Sequence, residues 1–291
     1  MDLSLKIDVI DFLGKKDFND KYFFPQKPVV IKGLTEYEIA GKKWSLKYFK
    51  DTMGDVEVGV FDNKNKKSAG SALTSPDLKM KLSDFISTLE SNPKTDLRIF
   101  LFDFYKHNPL LRREFPCPKI FSGVMDKMGY LFFGGKDTTV RIHYDIDMSN
   151  VLLTHFGGRK KVVLVGPEYS DLLYCLPLNT YSLINLGNID YQKYPALAHV
   201  KGYECVLEHG DSIFMPSGYW HYITYLDNSF SVSYRKIAPD FSKKVKGLVN
   251  VSIKMPLDKL IGKTFGKSWL IRKEQIANQR AEKAVLRMQK A

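Results

Sequence analysis

The sequence predicts a mainly β protein with flanking helices, its central strands wound into a double-stranded β-helix of the jelly-roll kind. Three observations carry this. Short apolar-alternating segments, punctuated by Gly, Pro and Asn turn signals, fill the central two thirds of the chain. Helix-spaced apolar positions gather toward both ends. The 291 residues, 44% of them apolar, suffice for a large core, and no run of about 18 apolar residues exists, so no membrane span is expected.

The elements follow in order. Residues 7–13 are a short apolar segment, and PQKPVVIKGL sets Val29, Val30 and Ile31 between Pro and Gly as a buried strand. In 44–53, Leu46, Phe49 and Met53 share a helical face, Gly54 is the stop, and DVEVGVF alternates behind it as a strand. The polar, Gly/Ser-rich stretch 63–75 is a loop near a site mouth. Leu82, Phe85, Ile86 and Leu89 make 81–91 a helix; 97–104 is an apolar strand; 110–121, with prolines on both sides of Cys117, is irregular. In GYLFFGG (129–135), Tyr130 and Phe132 alternate with Leu131 and Phe133, so one pair faces the barrel interior. KKVVLV (160–165) is a strand packed on both faces, 167–177 a short helix, and 179–195 a long irregular connection of the sort that carries function. Strands return at 203–207 and 228–234. Residues 268–289 open on Ser and contain no Gly or Pro, which predicts one long helix, with Ile271, Ala281, Val285 and Met288 near one face and Ala277 and Ala284 beside it.

Chemistry concentrates in two stretches. TTVRIHYDIDMSNVLLTHFGGRKK (138–161) carries His143 and Asp145 as H-x-D, and GDSIFMPSGYWHYI carries His221 just behind a Pro-Ser-Gly turn. Two imidazoles and a carboxylate are the ligand set of a facial triad, which holds one face of an octahedral Fe(II) and leaves the other face open. H-x-D alone arises by chance on any exposed strand; the strand–turn–strand context of the second stretch gives it weight. His107, His155, His199 and His209 lie in loops, beside turns or out of phase, and are read as structural.

Together, HYD…GRKK…GDSIFMPSGYWHY resembles the cupin-like branch of the Jumonji-C (JmjC) dioxygenases, the branch containing the asparaginyl hydroxylase of hypoxia-inducible factor. The resemblance covers roughly residues 25 to 236 and includes KPVVIKGL…KKWSLKYFKDTMGDVEVGVF. It implies Fe(II) on His143, Asp145 and His221 as the catalytic centre, with 2-oxoglutarate as co-substrate. It also places Lys160 where the family has a lysine for the far carboxylate of 2-oxoglutarate. Three departures touch the co-substrate contacts. Val140 stands where relatives carry Thr or Ser, Asn150 is one residue further from both H-Y-D and Lys160, and Ser233 replaces an Asn. Thr154, on the same strand face as Asn150, is the expected replacement hydroxyl. Thr139, Asn150, Ser233 and Tyr130 complete the expected contacts, and Tyr144 is expected in the core.

The expected organisation is a JmjC/cupin-like dioxygenase domain with its N-terminal extension over residues 1–240, then a basic helical segment over 241–291. From residue 240 onward thirteen Lys/Arg face four Asp/Glu, the larger part of the net charge of +12. Such a segment attracts nucleic acid, anionic membrane or an acidic protein, or only solvates its helix. Relatives dimerise through C-terminal helices, so this helix is expected to join two copies; packing on its own barrel and an RNA-binding arm are the alternatives. Three cysteines without C-x-x-C spacing, and an N-terminus acidic at positions 2, 8 and 11, fit a reduced cytoplasmic protein with no signal peptide. The expected reaction is hydroxylation of a side chain of a protein laid across the barrel mouth. The alternatives are hydroxylation of a modified tRNA-type base, and a metal cupin acting on a small molecule without 2-oxoglutarate. A buried Lys160 argues against the last.

Overall fold

A computed structural model describes residues 1–63, 75–92, 95–123, 125 and 128–290. Most of the loop expected at 63–75 therefore lies outside the described residues. Six strands precede the barrel: β1 (Asp2–Leu5), β2 (Asp8–Ile10), β3 (Val29–Ile31), β4 (Glu57–Asp62), β5 (Leu78–Lys81) and β6 (Leu97–Phe102). The barrel itself is β7 (Gly129–Gly134), β8 (Thr139–His143), β9 (Asn150–Phe156), β10 (Lys160–Val165), β11 (Lys201–Leu207), β12 (Ser212–Met215), β13 (Trp220–Tyr225) and β14 (Ser229–Lys236). The smaller sheet runs β1-β11-β10-β13-β8 and the larger β2-β3-β12-β9-β14-β7-β6-β4-β5. From β7 to β14 the chain passes back and forth between the sheets, which is the winding of a jelly-roll.

Three apolar layers follow from strand alternation. On β10, Val162 and Leu164 turn inward, with Val151, Leu153, Ile213 and Met215, while Val163 and Val165 turn outward. The outer face of the larger sheet carries Phe133, Phe156, Phe230 and Tyr234, packed under the N-terminal helices that supply Phe18, Trp44, Phe49 and Phe85. Edge-on aromatic contacts such as Phe49 on Phe230, 5.1 Å between centroids, lock that layer. Leu131 and Phe133 belong to it, so Tyr130 and Phe132 are the inward pair of β7.

Two elements differ from expectation. The stretch 167–177 forms one 3-10 turn, Pro167–Tyr169, followed by turns rather than a helix. Tyr174 takes a left-handed φ of 53°, incompatible with a continuing helix, although Leu172, Leu173 and Leu176 are buried as their spacing suggested. The C-terminal segment is larger than the expected helix. Asp240 caps Phe241–Val249 by accepting from the backbone of Ser242 and Lys243; a π turn Asn250–Lys254 follows, then Met255–Lys290, broken at Gly266 (φ 51°, ψ −123°). Ala277 and Ala281 are fully buried in the apolar layer outside the smaller sheet, with Ala284 and Val285 packed beside them, whereas Ile271 and Met288 are exposed. The alanine stripe that was expected to meet a second copy thus packs on its own barrel. Alanine lets the helix lie close to the 3-10 turn Pro195–His199 that covers this layer, which the sequence showed only as a narrow face.

Candidate metal centre and its two cavities

Strand register assembles the centre. On neighbouring strands His221 stands opposite His143 and Leu164, and Lys160 stands opposite Tyr225. Gly218 turns the chain into β13 with φ +81°, a left-handed conformation that strains any other residue and favours glycine in the Pro-Ser-Gly turn. Asn150 pins that turn from beneath: its Oδ1 accepts from Ser217 N at 2.9 Å and from Gln26 Nε2 at 3.0 Å.

His143, Asp145 and His221 bring one ligand atom each within 4.8 Å of one another, the metal-competent cluster among the described residues. Each imidazole is oriented by its own strand. His143 Nδ1 lies 2.8 Å from the carbonyl of Arg141, and His221 Nδ1 lies 3.3 Å from that of Tyr219. A carbonyl can only accept, so Nδ1 carries the proton and Nε2 keeps the lone pair a metal needs. Burial, together with the charge of His221, lowers His143 to about 3, and burial lowers His221. Burial alone would raise Asp145, but Arg235 and the two imidazoles outweigh it and hold the carboxyl below its usual range. All three groups are thus in the protonation state of ligands. Arg235 reaches Asp145 at 3.3 Å and Asp147 at 3.1 Å, leaving one carboxylate oriented and the other neutralised.

Two cavities meet at these groups. The inner one, about 50 Å³, is lined by Phe132, Val140, Leu153 and Met215 and by the polar Lys160, Ser233 and Arg235 beside the triad. Lys160 is 1% exposed, donates to Ser231 Oγ and lies 4.1 Å from the centroid of the Tyr225 ring; no carboxylate pairs with it among the described residues. Burial pushes its ammonium down to about 7. Ser233 Oγ, also buried, has no hydrogen-bond partner among the described residues. The outer cleft, about 370 Å³, opens past Tyr130, Tyr181, Met255 and Asp258.

The expected site residues divide accordingly. His143, Asp145, His221, Lys160 and Ser233 share the inner cavity, and Tyr130 lines the outer cleft. Thr154 and Asn150 do share a strand face, but it is the one turned away from the cavity. Thr154 bonds Ser212 Oγ at 2.8 Å, and Val151 and Leu153 take the inward positions. Asn150 serves the Pro-Ser-Gly turn instead. Thr139 lines neither cavity; a register shift between β13 and β8 turns Val140 inward in its place. Tyr144 is core, edge-on to Trp220. His155 is buried beside Ser231, and His209 binds the backbone of Gly157 and Gly41.

Sequence reasoning missed Arg235, Ser231, Tyr225 and Tyr181. Period two from Ser233 already pointed to Ser231 and Arg235 on the inward face of β14. Nothing in the sequence signals Tyr181, whose ring stacks on His143 with centroids 5.1 Å apart.

A jelly-roll barrel that gathers two histidines and an aspartate inside its open end defines the class: a cupin-type fold with the ligand set of a facial triad. The chain belongs to the cupin-like domain family, whose model matches residues 15–235. It is 27% identical over 228 residues to lysine-specific demethylase 8 of Xenopus tropicalis, covering 75% of this chain and 49% of that protein. It is 24% identical over 238 residues to tRNA wybutosine-synthesizing protein 5 of Homo sapiens, covering 75% and 73%. With Jumonji C domain-containing protein 5 of Drosophila melanogaster it shares 28% over 246 residues, covering 78% and 59%. The chain spans about half the length of the frog protein. Among the described residues no helix is long and apolar enough to cross a membrane.

Proposed function

We propose that this chain is an Fe(II)- and 2-oxoglutarate-dependent oxygenase that hydroxylates a side chain of a protein substrate. The observation that carries the reading is Lys160: a buried cation without a carboxylate partner among the described residues, lining the same small cavity as a His-Asp-His cluster. A lone buried ammonium is costly, and an anionic co-substrate would offset that cost. Ser233 Oγ, buried and unpartnered, adds a donor on the opposite strand. These residues fit the group the family implies. The triad would hold the iron, and Lys160 with Ser233 the co-substrate.

When bound, Fe(II) with 2-oxoglutarate and O₂ supplies an oxidant that inserts one oxygen atom into a C–H bond, the other oxygen leaving in succinate as CO₂ is released. The protein's own work is placement. Arg235 holds Asp145 in one orientation, the two carbonyls fix the imidazole tautomers, and the apolar lining of the inner cavity excludes water. The substrate enters by the outer cleft, whose walls include the carboxylates of Asp147 and Asp258 and the apolar Leu101, Met128 and Met255. Arg235 pairs with Asp147 and Lys273 with Asp258, and Lys259 stands beside them, so the cleft is charge-balanced; a methionine-rich wall without an excess of cations suits a peptide better than phosphates. This supports a protein substrate over an RNA base. The second reading, hydroxylation of a modified tRNA-type base, draws on the thirteen Lys/Arg that follow residue 240 and on the wybutosine-synthesizing relatives.

We further propose a homodimer and a cytoplasmic location. Phe241, Leu248, Leu260 and Phe265 are each more than 60% exposed along the C-terminal segment, which supports a homodimer through that surface rather than through the alanine stripe. Solution mass of Leu248→Glu/Leu260→Glu against the parent checks it; an already monomeric parent ends the idea. No disulfide is formed among the described residues, which supports a cytoplasmic protein.

The deciding experiment is 2-oxoglutarate turnover with Fe(II), followed by intact-mass screening of candidate proteins and RNAs for a gain of one oxygen atom. Succinate formation with a protein gaining that mass is the expected result. No 2-oxoglutarate consumption under any condition would overturn the reading.

A further inference from the structure

The C-terminal helical segment does more than cover the smaller sheet. Asp258, in the arm of Met255–Lys290 that precedes Gly266, lies in the wall of the outer cleft and is 6% exposed. Its Oδ1 accepts from Trp269 Nε1 at 2.7 Å and Lys273 Nζ at 3.0 Å, and its Oδ2 accepts from Asn179 Nδ2 at 3.0 Å. In an unbroken helix residues 258 and 269 would stand about 16 Å apart, so these bonds require the reversal at Gly266. A buried ion pair adds little stability over apolar packing of the same volume; what its directional bonds supply is a single geometry. Asn179 passes that geometry on. Its Oδ1 accepts from the backbone N–H of Thr180 at 2.8 Å and Tyr181 at 3.0 Å, which fixes the turn whose Tyr181 ring stacks on His143. The carbonyl of Thr180 in turn accepts from Tyr144 N, next to His143 in the chain.

We propose that Lys273, Asp258 and Asn179 form a latch through which the C-terminal segment positions Tyr181 over the metal ligand His143. The same latch seats the wall of the substrate cleft. These are positioning residues, acting through Tyr181. The proposal rests on the reading of His143 as a ligand, and the two arms of the test separate the two.

The first arm is amide hydrogen exchange on the full chain, without metal. Lys273→Met should speed exchange of residues 180–182 and of Tyr144 about tenfold or more, while the β14 ladder stays protected and Lys273→Arg restores the parent pattern. If Lys273→Met does not fold, Trp269→Phe carries the arm, since it removes one donor and leaves the ion pair in place. Faster exchange confined to residues 255–290 would overturn the latch. The second arm is Co(II) titration of Asn179→Ala, which leaves no buried charge unpaired. Affinity should fall about tenfold, the usual scale for losing the support of a ligand, with Tm within a few degrees of the parent. Unchanged Co(II) affinity would overturn the link to His143. A parent that binds no Co(II) at all would sink the metal reading and, with it, that link, while the exchange arm still decides whether the latch orders the Tyr181 turn.

Discussion

The inner cavity and the outer cleft share His143, Asp145 and Arg235, yet they are built from different kinds of chain. Apart from Asp145, two residues beyond the end of β8, every residue lining the inner cavity sits on a strand, and period-two alternation together with ladder register decides which of them faces in. The outer cleft takes Asn179, Thr180 and Tyr181 from an irregular connection and Met255, Asp258 and Lys259 from a segment some hundred residues away from β9. The difference teaches where function can be read. A site made of strand faces inherits a repeating rule; a site made of loops and a returning helix inherits none.

The largest expected effect breaks the shared centre. Asp145→Ala should reduce 2-oxoglutarate turnover to background and weaken metal binding in both cavities' service, as measured by succinate release and Co(II) titration. Full activity in that variant would remove the triad assignment.

Arg235→Met tests the other shared group. It leaves Asp145 and Asp147 without their common cation, and breaking a largely buried ion pair costs about 3 kcal/mol. Tm of the metal-free protein should drop accordingly and recover in part when a divalent ion is added. A drop unaffected by metal would show that Arg235 supports packing rather than the ligand.

Lys160→Ala confines the damage to the inner cavity. A charge-assisted hydrogen bond contributes about 1.5–3 kcal/mol, so KM for 2-oxoglutarate should rise roughly ten- to a hundredfold with metal affinity intact. Lys161→Ala, whose side chain points outward toward Glu204 at 3.4 Å, should change neither. The pH dependence follows from the same residue. Burial lowers the Lys160 ammonium to about 7, so above that pH the free protein carries a neutral amine there. A carboxylate favours the charged form, so binding takes up a proton and 2-oxoglutarate affinity falls as pH rises through 7. Calorimetry in buffers of different ionisation heat reads that proton, and the slope should vanish in Lys160→Ala.

The smallest effect is expected at Thr154. Thr154→Val forfeits the bond to Ser212 Oγ and should cost about 1 kcal/mol of stability, with KM for 2-oxoglutarate unchanged. A raised KM would mean that β9 presents the opposite face in solution.

Much of the fold was legible because alternation and turn chemistry are local. Val29–Ile31, the helix Leu46–Met53 and β10 packed on both faces all follow from spacing alone. The clustering of His143, Asp145 and His221 was legible too, since H-x-D and the Pro-Ser-Gly turn before His221 each place members of it by short-range geometry. Thr154 shows the limit. Its shared face with Asn150 was right, but which face looks into the barrel is a property of the neighbouring strands, β12 and β14, and not of β9.

By itself, then, the sequence determined which residues could be strands, where the chain must turn, and that two histidines, an aspartate and a lysine recur in one pattern. Only the tertiary structure decided that Val140 rather than Thr139 faces the cavity, that Arg235 holds Asp145, and that Asp258 meets Lys273 and Asn179. The physical reason is range. Alternation and turn preference act over a few residues, whereas register shifts, buried ion pairs and the docking of a returning helix are fixed by contacts between segments that only packing brings together.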